Sequence, residues 1–223
     1  GPKIPEKEDP SRASSCPDRL GSGLNAHPAI HNKRSSMVDI NELARIGNDQ
    51  FARLEEAAEF SVTSTTVTQG QEWPAAQYSG AMGVPNGQDI SPQLSWSGAP
   101  EGTKSYAVTV FDPDAPTGSG FWHWSVGNIA ADVTELAENA GTDDGSGLPA
   151  GAFQLKHDGG GPGFIGAAPP AGHGAHRYII TVHALDVEKL DIPGDASNAF
   201  FGFNRHGHTL GRATLTVYGI VEN

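Results

Sequence analysis

The sequence predicts a mainly β protein, an antiparallel two-sheet β body with a few peripheral helices. Three observations lead there. Short apolar segments, β-branched or alternating, recur from residue 60 onward and are separated by turn residues. The 223 residues include 29 Gly and 16 Pro, too many breakers for a helical bundle. Helix-like stretches are few and irregularly spaced, so they do not provide the crossovers that parallel strands need.

Residues 1–36 are polar, Pro-rich and aperiodic, the pattern of a disordered tail. The Gly1-Pro2 start resembles the scar of a removed affinity tag, and Met37 can serve as an initiator. A tag remnant or leader is therefore expected over 1–36, and a single domain over 37–223. Asp39 followed by Glu42 has the form of a capping box, with a carboxylate in place of the hydroxyl. Ile40, Leu43, Phe51, Leu54 and Ala58 then fall near one helical face, which predicts a helix over 39–58 despite Gly47.

The β body is expected over 60–221. Residues 61–68 are rich in β-branched side chains, and 94–97 form a short segment before the turn Gly98-Ala99-Pro100. Residues 106–111 alternate and run directly into Asp112. Over 122–129 strict alternation would put Trp122, Trp124 and Val126 on one face, with His123 and Ser125 on the other. A Gly/Asp loop over 139–151 separates this strand from the next. Residues 176–185 place His176, Tyr178, Ile180 and Val182 together, with Arg177 opposite and available to a protein carboxylate. Ala199, Phe200 and Phe203 have helical spacing within 195–210, and 213–221 is the last strand.

Charge excludes several functions. Residues 1–36 carry six Lys/Arg against four Asp/Glu, while residues 37–223 carry eight against twenty-two. So acidic a body repels nucleic acid and anionic membranes, and no basic cluster overrides this. No apolar run reaches the ~20 residues of a membrane span, so integral membrane association is not expected. The one cysteine, Cys16, supplies neither an intrachain disulfide nor a thiolate metal site, which favours a reducing, cytoplasmic setting.

Two stretches carry the chemistry. The first runs Phe111-Asp112-Pro113-Asp114-Ala115-Pro116-Thr117 and on to Phe121-Trp122-His123-Trp124; its prolines stiffen a strand exit. The second runs Ala168-Pro169-Pro170-Ala171-Gly172-His173-Gly174-Ala175-His176-Arg177-Tyr178, where Gly172 and Gly174 permit close approach of a ligand. Brought together, they would line a small fixed pocket with two carboxylates, two imidazoles and a phenol, suited to a phosphate-type anion.

These segments resemble the two signature regions of the phosphatidylethanolamine-binding protein family, and look closest to its bacterial Raf-kinase-inhibitor-like branch. The likeness covers about 60–221, including Gly211-Arg212-Ala213-Thr214-Leu215-Thr216-Val217-Tyr218-Gly219. It implies a central antiparallel sheet packed on a second sheet, and a cavity that accepts phosphate-like anions. Carried over by position, that cavity comprises Asp112, His123, Ala168, Pro169, His176 and Tyr178, with Asp114 and Pro116 in support. The chain departs from the bacterial pattern at Phe164, where Tyr is common, at Gly166-Ala167-Ala168, where Gly-Pro-Cys is common, and at Ala175, where Pro is usual. The absent cysteine removes any thiol-based regulation of the pocket.

The function expected is therefore non-enzymatic binding of a small anion such as phosphate, phosphoethanolamine or a nucleotide-like group, with no cofactor. Carboxylates beside an anion make sense if Asp112 and Asp114 accept hydrogen bonds from imidazoles or amides instead of facing the ligand bare. The resemblance also permits a regulatory partner, a kinase or protease, engaged through surface loops. An exposed edge or the 39–58 helix would serve a homodimer. The alternative is a metal-dependent hydrolase using Asp112, His123, His173 and His176, with His206-x-His208 as a second pair. Against it, His173 and His176 lie on a Gly-rich loop entering a strand, not on a helix that aligns both rings. Ser125 and Thr117 are near His123 in sequence, but no nucleophile elbow accompanies them.

Overall fold

Among the described residues, β-branched and aromatic side chains cluster into nine strands in two sheets. The computed structural model describes residues 38–41 and 49–223, so the expected tail, Cys16 included, lies outside the described residues. The strands are β1 (Ala58–Glu59), β2 (Ser61–Thr63), β3 (Leu94–Ser97), β4 (Ser105–Asp112), β5 (Phe121–Ala130), β6 (Glu135–Leu136), β7 (Phe153–Gln154), β8 (His176–Leu185) and β9 (Thr209–Gly219). The large sheet has the order β1-β9-β8-β4-β5-β7, and the small one β2-β3-β6. Pairing is antiparallel except between β1 and β9, which run parallel.

Alternation decides where the core lies. Val108 and Val110 of β4, Ile180 and Val182 of β8, and Leu215 and Val217 of β9 turn one way. There they meet Leu94, Trp96 and Leu136 of the small sheet, with the Trp96 and Tyr106 rings 5.4 Å apart. On the other face Ala107, Leu155 and Leu185 pack under Phe201 of helix α1 (Asn198–Arg205). α1 starts because the Ser197 hydroxyl accepts from the Phe200 amide at 3.1 Å, the N-cap bond such residues favour.

Two expected elements differ. Ile40 and Asn41 are helical and 42–48 lie outside the described residues, but the expected helix does not extend over 49–58. The Asp49 side chain accepts from the Phe51 amide at 2.9 Å and turns the backbone, and the chain is extended in β1 by Ala58. The β-branched run 61–68 is strand only to Thr63. The Ser64 hydroxyl accepts from the amides of Thr66 and Val67, which takes them from any ladder.

β5 contains the shift that matters for the site. Val110 pairs with Trp124, but Phe111 pairs with Trp122, so β5 has one extra residue, His123, opposite β4. Trp122 consequently stacks on Phe111 at 4.3 Å, away from the core, while Trp124 packs on Phe164 at 6.0 Å inside it. The face shared by Trp122 and Trp124 under strict alternation does not exist, because a bulge resets the period at His123.

Candidate functional site

The end of β4, the bulge of β5 and the start of β8 converge on a cavity of about 200 Å³. Asp112, Pro116, His123, Ala168, Pro169, His176 and Tyr178 all line it. Asp114, also expected at the site, does not. Its carboxylate takes the Arg177 amide at 2.9 Å, Nε at 2.9 Å and Nη2 at 2.8 Å, a forked pair on the far side of the strand. Alternation explains the division: His176 and Tyr178 face the cavity, and Arg177 between them faces away.

Asp112 is nearly fully buried and offers no bare charge. One oxygen accepts from the Asp114 amide at 2.8 Å, closing the turn, and the other accepts from His176 Nδ1 at 2.7 Å. The other ring nitrogen of His176 lies 2.6 Å from Nδ1 of His173. A chain therefore runs from buried carboxylate to imidazole to a second imidazole nearer the surface. His173, considered in the sequence only for metal binding, belongs to this chain.

His123 is fixed differently. Its Nδ1–H donates to the Ile165 carbonyl at 2.9 Å, and the Ile165 amide donates back to the His123 carbonyl at 3.1 Å. Burial holds its pKa below the usual 6.5, against the pull of Ile165 and Asp112, so the ring is neutral at pH 7. With Nδ1 protonated, Nε2 is an acceptor. Tyr178 packs edge-on against it at 5.1 Å. Burial, with Asp112 adding, pushes the Tyr178 phenol well above its usual range, so it stays protonated. That hydroxyl is shielded from solvent, and although the Ala168 amide approaches its oxygen, nothing among the described residues accepts its proton.

The loops are held by small residues. A Cβ on Gly120 (φ 74°) would sit 2.4 Å from the Phe111 ring, so only glycine fits beneath the 113–120 turn. A Cβ on Gly166 would meet the Tyr78 backbone at 2.4 Å, where the Ala167 amide donates to Gln77 and its carbonyl accepts from Ser79. The remaining wall comes from Met82, Ala115, Thr117, Phe121 and Pro170. Phe121 and Pro170 belong to the two stretches the sequence singled out, but nothing in the local sequence marks Met82, which reaches the rim from a distant loop.

The hydrolase alternative is not favoured. Both nitrogens of His176 and one of His123 are engaged within the protein, and no group of three or more His, Cys, Asp or Glu among the described residues is arranged to hold a metal ion. His206 and His208 bond separately to Glu55 and Asp186. Ser125 donates to Asn198 at 2.7 Å and Thr117 to the Gly120 carbonyl, so neither hydroxyl is paired with an imidazole. Among the described residues no helix is long and apolar enough to cross a membrane.

Comparison with known proteins agrees with this fold. The family model described as phosphatidylethanolamine-binding protein matches residues 63–219. The chain is 46% identical to UPF0098 protein YbcL of Escherichia coli K12 over 166 residues, covering 74% of this chain and 90% of YbcL. It is 47% identical to UPF0098 protein YbhB of the same organism over 156 residues, 69% of this chain and 95% of YbhB. The crystal structure of E. coli YbcL, described as a new member of the mammalian PEBP family, superposes with a TM-score of 0.71 at 45% identity, covering 74% of this chain and 99% of that one.

Proposed function

The chain belongs to the phosphatidylethanolamine-binding protein family, and from that premise we propose that it binds, without turnover, the phosphate-type group of a small molecule or lipid headgroup in the cavity between His123 and His176. The observation that carries this reading is the Tyr178 hydroxyl: buried, protonated and without an acceptor on a wall of that cavity. An unsatisfied buried donor costs about 1–3 kcal/mol, which a bound oxyanion would recover.

The groups divide the work. Tyr178 donates to one ligand oxygen. Neutral His123 accepts through Nε2 from a protonated phosphate oxygen, and becomes a second donor once it gains a proton. Asp112 pins the His176 tautomer with the proton on Nδ1, which decides what the opposite nitrogen presents. His173 competes for that nitrogen, so a ligand oxygen must displace it.

Magnitudes limit the affinity. Two or three hydrogen bonds to a charged ligand supply about 1.5–3 kcal/mol each. Association costs at least ~4 kcal/mol, so inorganic phosphate binds weakly and the rest of the ligand must add contacts. The apolar walls at Met82, Phe121 and Pro170 suit that remainder. Calorimetric titration of inorganic phosphate and phosphoethanolamine into the protein and into Tyr178→Phe tests the reading. Weaker binding by about tenfold in the variant is expected; equal binding would overturn it.

A further inference from the structure

A second hollow of about 120 Å³ lies on the opposite face of the large sheet, where β5, β8, β9 and α1 meet the segment 50–55. It shares no residue with the cavity above. Its chemistry is set by two arginines. Arg205 is 7% exposed and lies over the Phe201 ring at 4.3 Å. Among the described residues it has no carboxylate partner, and its Nη1 is buried without an acceptor. Arg212 gives Nη1 to the Glu55 carbonyl at 2.8 Å, while its Nε is likewise buried and unanswered. Gln50 Nε2 is a third orphaned donor in the same lining.

Three unanswered donors and no unanswered acceptor are asymmetric. The one carboxylate present, Glu55, is already engaged by His206 at 2.7 Å and by Arg212 at 3.7 Å. Two guanidiniums against one carboxylate leave a net positive charge in a body that is otherwise strongly acidic. Burial, with Arg212 adding, brings Arg205 down to about 9, so it remains cationic at neutral pH at a cost that a bound anion would relieve. His183, held neutral by burial with Arg205 and Arg212 adding, contributes no charge of its own, so the arginines supply the positive charge here.

We propose that this hollow is a second ligand site, which takes one small oxyanion (a phosphate, sulfate or carboxylate group) on Arg205, Arg212 and Gln50. Guanidinium N–H groups match planar and tetrahedral oxyanions alike. A hollow of about 120 Å³ has room for such a group. Phe51, Leu54 and Trp122 wall the site with apolar surface, which strengthens the charge interaction inside.

The test is a titration of the full ¹⁵N-labelled chain with inorganic phosphate, following the side-chain N–H signals of Arg205, Arg212 and Gln50. It is run in wild type and in His176→Ala, which disables the first cavity. Saturating shifts in both proteins are expected, with Arg205→Met weakening the response about tenfold. Gln50→Ala, remote from the core, provides a milder second variant with about threefold weakening. Parallel titrations with sulfate and acetate separate a tetrahedral from a carboxylate preference. Shifts that grow linearly with every anion, or saturation unchanged in Arg205→Met or in Gln50→Ala, would overturn the proposal.

Discussion

His123 and Ile165 exchange hydrogen bonds in both directions: side-chain Nδ1 to the Ile165 carbonyl at 2.9 Å, and the Ile165 amide to the His123 carbonyl at 3.1 Å. This double bond pattern ties the bulge of β5 to the segment leading into Ala168 and Pro169. It joins two residues 42 positions apart in sequence and fixes the tautomer of the ring between them.

Phosphate affinity should rise as pH falls below 6.5. Burial lowers the His123 pKa, so the free protein gains this extra donor only on the acid side of the usual value. Bound anion favours the protonated ring, so affinity falls as pH rises through that lowered pKa and then levels off. Calorimetry between pH 5 and 8 checks this, and a flat profile contradicts it.

Global stability should also decline below pH 6.5. His123 and His183 both have pKa values lowered by burial, so the unfolded chain protonates first and binds more protons than the folded one. Their contribution is fully present above 6.5 and is lost as pH falls from there toward the lowered values. Urea unfolding at successive pH values should show the slope, and His183→Gln should reduce it.

Asp112→Ala should weaken phosphate binding and cost about 1–3 kcal/mol of stability, because His176 Nδ1–H and the Asp114 amide both lose their acceptor. Asp112→Asn retains an acceptor and should lose less. Denaturant midpoints alongside phosphate titrations separate the two effects; equal loss in both variants would contradict the assigned role.

Arg177→Met should destabilise by about 3–5 kcal/mol, since it strands a mostly buried Asp114 carboxylate. Adding Asp114→Asn removes the stranded charge and should restore part of the loss. A double-mutant cycle from urea unfolding measures the coupling. A coupling near zero would mean the pair does not hold the turn.

Gly120→Ala should cost more than about 1 kcal/mol, through both the positive φ and the contact with Phe111. Because Gly120 ends the turn carrying Ala115, Pro116 and Thr117, phosphate binding should weaken as well. An unchanged melting temperature would show that the turn relaxes freely.

The sequence alone was enough for the mainly β class, the run of β8 from His176 to Leu185 and the grouping of His176 with Tyr178. Each follows from strand periodicity, a property of neighbouring residues. The same local rule failed at Trp122, Ser64 and Asp49. A bulge opposite Phe111, a hydroxyl bond within a turn and an Asx turn each outweigh propensity, and periodicity does not register them. Whether Asp114 joins Asp112 in the cavity or turns to Arg177, and that Met82 reaches the rim, depends on which strands pair and in what register. So do the orphaned donors of Arg205 and Arg212, whose partners, or lack of them, only tertiary packing decides.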